Sequence, residues 1–291
     1  MYFCERKGKN DYVEIGNQDF FQRLKVLPGK TQILFYIHGF NNTAESEIFP
    51  NAKKLQALFD QVGGSGLVYV VPLIWPCDDD SVVAFIDDYW DDQRAADASG
   101  MAFARMLGKF DDWRRKEALK PDPCTRRINV LAHSMGNRVL RNALISWVRN
   151  DSSDQMPQLF RNVFMVAADV VNHTLERGRS GEYISYSARN VLVYYANDDL
   201  AMPASKLVNL KNRTLSRRLG MTGPESFKKI PKNIYEVDCD SFNNTFDTPA
   251  GHTYFMYGPN QTVSPLIKHM VDALKDGRVA PPGRHHRLKK P

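Results

Sequence analysis

The sequence predicts an α/β fold with a mostly parallel central sheet and helices on both faces. Three observations predict it. Five short apolar runs are continuous rather than alternating, as expected of strands covered on both sides. Segments with helical periodicity fall between them, which implies βαβ units with right-handed crossovers. One strand-to-helix junction carries a serine between small residues, in LAHSMGN (131–137), where the chain must turn sharply at the end of a strand.

The strand candidates are Ile33–Ile37, Leu67–Ile74, Ile128–Ala132, Val163–Ala167 and Val191–Tyr195, with a further one at Ile234–Val237. The helix candidates are Ala52–Val62, with Leu55, Leu58, Phe59 and Val62 on one face, then Ala95–Glu117, Gly136–Val148 and Pro265–Leu274. Residues 151–162 and 211–232 read as loop insertions, broken by Pro157, Gly223, Pro224 and Pro231. No internal repeat is visible. The reading is one domain over 1–276 with a lid-like excursion near 77–92, followed by a basic, disordered tail over 277–291.

At 291 residues, with 43% hydrophobic and 25% charged, the chain can bury a core without disulfides or metals. Its net charge of +6 comes mostly from Arg278, Arg284, Arg287, Lys289 and Lys290 at the end, so no nucleic-acid partner is expected. The four cysteines Cys4, Cys77, Cys124 and Cys239 lack metal-ligand or CxxC spacing. No metal or organic cofactor is indicated. The first residues, MYFCERKGKND, carry no signal-peptide pattern, and the longest apolar run, Gly66–Trp75, is too short to span a bilayer. A cytoplasmic protein is expected; the oligomeric state stays open.

Three segments carry chemistry. In LAHSMGN, Ser134 has Ala132 two residues before it and Gly136 two after, the small neighbours that a nucleophile elbow needs. The helix that follows offers its N-terminus to a developing oxyanion. In YIHGF (36–40), the loop after the Ile33 strand can add a second backbone donor, which pairs the amide of Phe40 with that of Met135. His38 reads there as a structural residue. In GHTYF (251–255), His252 follows the last of these strands, where the base sits when the order is serine, acid, histidine. The acid is Asp199, ahead of Asp198 and then Asp169; each of the three also suits a helix cap. Trp75, Phe85, Tyr89 and Trp90 are candidates for an apolar acyl pocket, with Trp75 and Tyr89 foremost, although packing is the stronger reading for them.

The ordered set YIHGFNNT (36–43), WP (75–76), LAHSMGNRVL (131–140), AADV (167–170), YYANDDLAM (194–202) and GHTYF (251–255) resembles the α/β-hydrolase superfamily. More narrowly, it is similar to the bacterial family called domain of unknown function 900, over roughly residues 30–275. The resemblance implies an acid followed by x-Ala-hydrophobic, which Asp199-Leu200-Ala201-Met202 matches. This chain departs from the family after WP, where CDDDSVVAFIDDYWDD (77–92) replaces a glycine- or serine-rich stretch. The implied activity is that of a serine hydrolase, with a small-molecule carboxylic ester as first substrate and an acyl-enzyme on Ser134. A thioesterase, amidase or acyltransferase would use the same residues, and a non-catalytic binding protein on the same scaffold is the competing class.

Overall fold

The computed structural model describes residues 1–77, 85–150, 156–201 and 217–291, and for 85–90 the backbone alone. Seven parallel strands form one sheet: β3 (Gln32–Ile37), β4 (Val68–Leu73), β5 (Ile128–His133), β6 (Phe160–Val166), β7 (Ala188–Tyr195), β8 (Ile234–Asp238) and β9 (His285–Arg287). Their spatial order is β4-β3-β5-β6-β7-β8-β9. The chain therefore moves outward from β3 to β4, then crosses back to β5 and proceeds the other way. The carboxyl ends of β3 and β5 flank this reversal, the crevice where open α/β sheets bind ligands.

Alternation within the strands divides the core. Ile33, Phe35 and Ile37 of β3, Val130 and Ala132 of β5, and Val163 and Met165 of β6 share one face. That face is covered by α1 (Gly16–Lys25), α3 (Phe85–Glu117) and α4 (Gly136–Asn150) through Phe21, Phe103, Leu107, Val139 and Ala143. Leu34, Tyr36, Leu131, Phe164 and Leu192 point to the other face, under α2 (Phe49–Gly63) and the helix Pro265–Asp276. Strands β3, β5, β6 and β7 thus have both faces covered, which is why their sequences are largely apolar, while β4 at the edge leaves Tyr69 exposed.

A row of buried amides crosses four strands near their amino ends. Asn190 Nδ2 donates to Asn162 Oδ1 at 2.8 Å, and Asn162 Nδ2 to Asn129 Oδ1 at 2.8 Å. Asn129 Nδ2 continues to Gln32 Oε1 at 3.2 Å, and Gln32 Nε2 ends on the Leu274 carbonyl at 2.9 Å. Gln32, Asn129 and Asn162 each both donate and accept, so a register slip would break the chain of bonds. Asn162→Ala would strand the Asn190 donor and the Asn129 acceptor in a dry interior. It should lower unfolding stability by about 3 kcal/mol, measured by urea titration. A loss below about 1 kcal/mol would mean that water enters and satisfies them.

Two regions differ from the sequence reading. The amino terminus forms a hairpin, β1 (Cys4–Gly8) with β2 (Asp11–Glu14), and leads into α1. At the other end, the tail expected to be disordered over 277–291 contributes β9, paired with β8. The physical reason is a buried polar relay. Tyr194 Oη and His269 Nδ1 are 2.9 Å apart, and His269 Nε2 and His286 Nδ1 are 2.9 Å apart. His286 Nε2 then reaches the Gly283 carbonyl at 3.3 Å. Of the expected excursions, 78–84, 151–155 and 211–216 lie outside the described residues. Within the rest, 85–92 opens α3, Phe160 starts β6, and a short helix occupies Leu219–Thr222.

This relay gives the fold an acid sensitivity. Burial, and then the charge of His286, lower the His269 pKa to about 4, from 6.5. The unfolded chain therefore binds the extra proton first. The His269 contribution is intact above pH 6.5 and is lost as pH falls toward 4, an effect on the order of 3 kcal/mol. Thermal unfolding between pH 7 and 4.5 should show the drop, and His269→Gln should flatten it. An equally steep drop in that variant would place the acid response elsewhere.

Candidate active site

Ser134 directly follows β5 in a left-handed conformation, with φ at 52°. Several bonds hold this unfavourable turn. Its own N–H donates to the Val166 carbonyl at 3.0 Å, and its carbonyl accepts from the amides of Asn137 at 3.1 Å and Asp169 at 3.2 Å. The Asn137 side chain adds Nδ2 bonds to the carbonyls of Ala132 at 2.8 Å and Ser134 at 3.1 Å. Gly136 is required sterically, since a β-carbon there would sit 2.5 Å from the His38 carbonyl oxygen and 2.6 Å from that of Ile37. The elbow is thus pressed against the end of β3. Among the described residues neither the Ser134 hydroxyl nor the Met135 amide makes a hydrogen bond.

The loop after β3 lies directly over the elbow. A β-carbon on Gly39 would be 3.1 Å from Ser134 Cβ. His38 supports this loop from beneath. Its Nδ1 donates to the Gly39 carbonyl at 2.9 Å, its Nε2 accepts from the Trp75 amide at 3.2 Å, and its ring stacks on Trp75 at 5.1 Å. Burial lowers the His38 pKa to about 4, which keeps this bonding pattern neutral. The Trp75 indole N–H returns a bond to the His38 carbonyl at 3.0 Å. Trp75 is 1% exposed and packs beneath the loop. Tyr89 lies on α3, and its side chain falls outside the described residues.

Beyond the loop, Glu45 is clamped by Arg6 and Tyr12 of the hairpin and by the Asn10 amide, and the Arg6 guanidinium lies over Phe49. The hydrogen bonds from Arg6, Tyr12 and Asn10 lower the Glu45 pKa to about 2. Glu45 belongs to the single turn of π-helix over Ala44–Ile48 that follows the loop. The hairpin therefore anchors the segment that carries Phe40.

His252 Nδ1 is 2.7 Å from Asp199 Oδ2, and Asp199 is fully buried. The other Asp199 oxygen accepts from the Ala201 amide at 3.0 Å. Asp198 is engaged elsewhere, by Asn243 Nδ2 at 2.7 Å and by Asn244. Asp169 faces Arg218. Of the three carboxylates weighed from sequence, Asp199 is the one bonded to the imidazole. The loop that carries His252 is held by Asp247, whose Oδ2 accepts from the amides of His252 at 2.8 Å and Thr253 at 2.7 Å. The Leu200 amide ties the two loops together through the Ala250 carbonyl at 2.8 Å.

His252 meets the elbow through His133, the residue before Ser134. The two rings are 4.7 Å apart, and His133 Nε2 lies 3.3 Å from the His252 carbonyl. Burial, and then the proximity of His252, push the His133 pKa well below its ordinary value. His252 moves the opposite way. Burial is the largest influence and lowers its pKa, but the Asp199 bond and the charges of Asp199, Asp169 and Asp247 outweigh it and raise it above 6.5. The structure thus places Ser134 and Met135 at the end of β5 and the His252–Asp199 pair against the neighbouring His133, with no hydrogen bond between the Ser134 hydroxyl and the His252 ring and with Phe40 on the loop after β3. Asn137, Asp247 and His133 were not singled out for roles in the sequence reading. Asp247 had a weak signal only, an aspartate five residues before the histidine. Among the described residues, no cluster of three or more His, Cys, Asp or Glu could hold a metal ion, and no helix is long and apolar enough to cross a membrane.

Residues 16–268 match the family described as an alpha/beta hydrolase of unknown function, DUF900. Among solved structures, the chain is similar to phospholipase PlaB from Legionella pneumophila in complex with thio-NAD, at 14% identity and a TM-score of 0.32, over 82% of this chain and 44% of that one. A second structure of phospholipase PlaB from Legionella pneumophila aligns at 14% identity and a TM-score of 0.27, over 83% and 46%. The chain spans less than half the length of either, and a likeness at this level carries no argument about activity. No curated protein matches the sequence.

Proposed function

The chain belongs to the DUF900 family of α/β hydrolases, and from that premise we propose that it is a serine hydrolase that cleaves carboxylic esters through an acyl-enzyme on Ser134. The observation that carries this reading is the 2.7 Å bond between His252 and a fully buried Asp199, in a loop packed on the elbow of Ser134. The Asp199 carboxylate accepts a hydrogen bond from Nδ1–H of His252, which leaves Nε2 as the free, basic nitrogen. Nε2 removes the Ser134 proton as Oγ attacks the ester carbonyl. The tetrahedral oxyanion then develops beside the Met135 amide, which has no acceptor among the described residues, and the N-terminus of α4. The Phe40 amide on the loop above is the second proposed donor. The imidazolium returns its proton to the leaving alcohol. Water, activated by the same nitrogen, releases the acid and restores Ser134.

The test is rapid-mixing kinetics with p-nitrophenyl esters of short and medium chain length. The expected result is a stoichiometric burst of p-nitrophenol followed by slower turnover, the signature of an accumulating acyl-enzyme. Folded protein that turns over none of these esters, at pH values where His252 is neutral, would contradict ester hydrolysis.

A further inference from the structure

His252, the base of the proposed reaction, is held at three points. Its amide donates to Asp247 Oδ2 at 2.8 Å, and its Nδ1 faces Asp199 Oδ2 at 2.7 Å. Its carbonyl lies 3.3 Å from His133 Nε2. The first two partners belong to the connections after β8 and β7. The third ends β5 and directly precedes Ser134. Of the three, His133 is the one set on the strand of the nucleophile.

The chemistry of this contact is fixed by its partners. A carbonyl oxygen only accepts, so His133 Nε2 carries a proton. Burial, and then the nearness of His252 and His38, keep the ring neutral against that bond, so Nδ1 carries none. The Nδ1 edge faces the other loop of the site. A β-carbon on Gly39 would sit 3.0 Å from His133 Nδ1 and 3.1 Å from Ser134 Cβ. The rings of His252 and Phe255 pack at 4.7 and 4.8 Å. With the residue 6% exposed, the imidazole fills the space between the loop after β3 and the loop of His252. Proton transfer tolerates little error here, since a misplacement of about 1 Å can cost about 10²-fold.

We infer that His133 is a positioning residue, whose ring and Nε2 proton fix the place of the His252 loop relative to the nucleophile on β5. It acts through the main chain of His252 and takes no proton itself. The inference rests on the reading of Ser134 as nucleophile and His252 as base.

Two variants separate the ring from the donor. His133→Phe keeps a ring and loses the donor. It should lower kcat by about 10- to 100-fold with little change in KM. His133→Gln sets an N–H at the place of Nε2 and should recover most of that loss. Urea unfolding of both variants separates lost folding from lost rate. The pH profile adds a readout that general destabilisation would not move. Burial lowers the His252 pKa, but the Asp199 bond and the charges of Asp199, Asp169 and Asp247 raise it above 6.5 overall. A loop that leaves its place weakens that bond. The kcat/KM midpoint should therefore be lower in His133→Phe than in wild type, and return in His133→Gln. An unchanged kcat and midpoint in His133→Phe would overturn the inference, and so would a loss that His133→Gln fails to restore.

A measurement without substrate keeps the two readings apart. Hydrogen exchange over residues 247–257, followed by mass spectrometry, should be faster in His133→Phe and close to wild type in His133→Gln. If that pattern holds while no ester is hydrolysed, His133 positions the loop and the hydrolase reading fails. Equal exchange in all three proteins would overturn the positioning role, whatever the esters show.

Discussion

Ser134→Ala should reduce ester hydrolysis by at least about 10⁴-fold and leave the fold intact. The size follows from losing the nucleophile, after which only the oxyanion donors and binding contribute. The fold should survive because the side-chain hydroxyl makes no hydrogen bond among the described residues, while the backbone bonds to Val166, Asn137 and Asp169 remain. A companion variant separates strain from chemistry. At a φ of 52° a β-carbon is unfavourable, so Ser134→Gly should be more stable than wild type by about 1 kcal/mol while equally inactive. Steady-state kinetics and urea unfolding of both variants check this. Residual activity within 10-fold of wild type in Ser134→Ala would remove Ser134 from the chemistry.

Asp199→Asn should lower kcat by about 10⁴-fold, the loss expected when the base is held in the wrong tautomer. The reason is geometric. Asp199 Oδ1 accepts from the Ala201 amide at 3.0 Å, while Oδ2 faces His252 Nδ1 at 2.7 Å. An asparagine that keeps its oxygen on Ala201 turns its NH2 toward Nδ1. Nδ1 must then accept, and the ring proton moves to Nε2, where the base should be free. The pH profile gives a second readout. His252 works as a neutral base, and its pKa is raised above 6.5, so wild-type kcat/KM should rise with pH through a midpoint above 6.5. With the carboxylate gone, burial remains and the residual activity should show a lower midpoint. The same shift stabilises the fold below pH 6.5, a contribution lost as pH rises through the raised value. An unchanged midpoint in Asp199→Asn would show that another group governs the profile.

Much of this architecture was legible in the sequence because burial on both faces leaves a plain mark. ILFYI, INVLA and VLVYY could hardly be anything but strands of a covered sheet, and each lies within an observed strand. The elbow was equally legible, because a turn at positive φ against β3 leaves no room for a β-carbon at 136. The amide row was not. Gln32, Asn129, Asn162 and Asn190 each look like an interruption of an apolar strand, and only pairing register turns them into one network. The tail was misread for a related reason. Its prolines, glycines and charges resemble a solvated end, while its order depends on His286 meeting His269, a partner on a distant helix. Helix α1 did carry a signal, with Phe21 and Leu24 three residues apart and both buried. Only the resemblance's acid-x-Ala-hydrophobic register set Asp199 apart from Asp198 in the sequence. Their roles are set by which loop each one faces, Asn243 and Asn244 for the first and His252 for the second.

The most direct test of the central claim is labelling of the pure protein with a fluorophosphonate, followed by mass spectrometry of the modified peptide. An activated serine should take one label, on the peptide that contains Ser134, and lose it in both Ser134→Ala and His252→Ala. No label on folded wild-type protein, or a label that persists in His252→Ala, would contradict activation of Ser134 by His252.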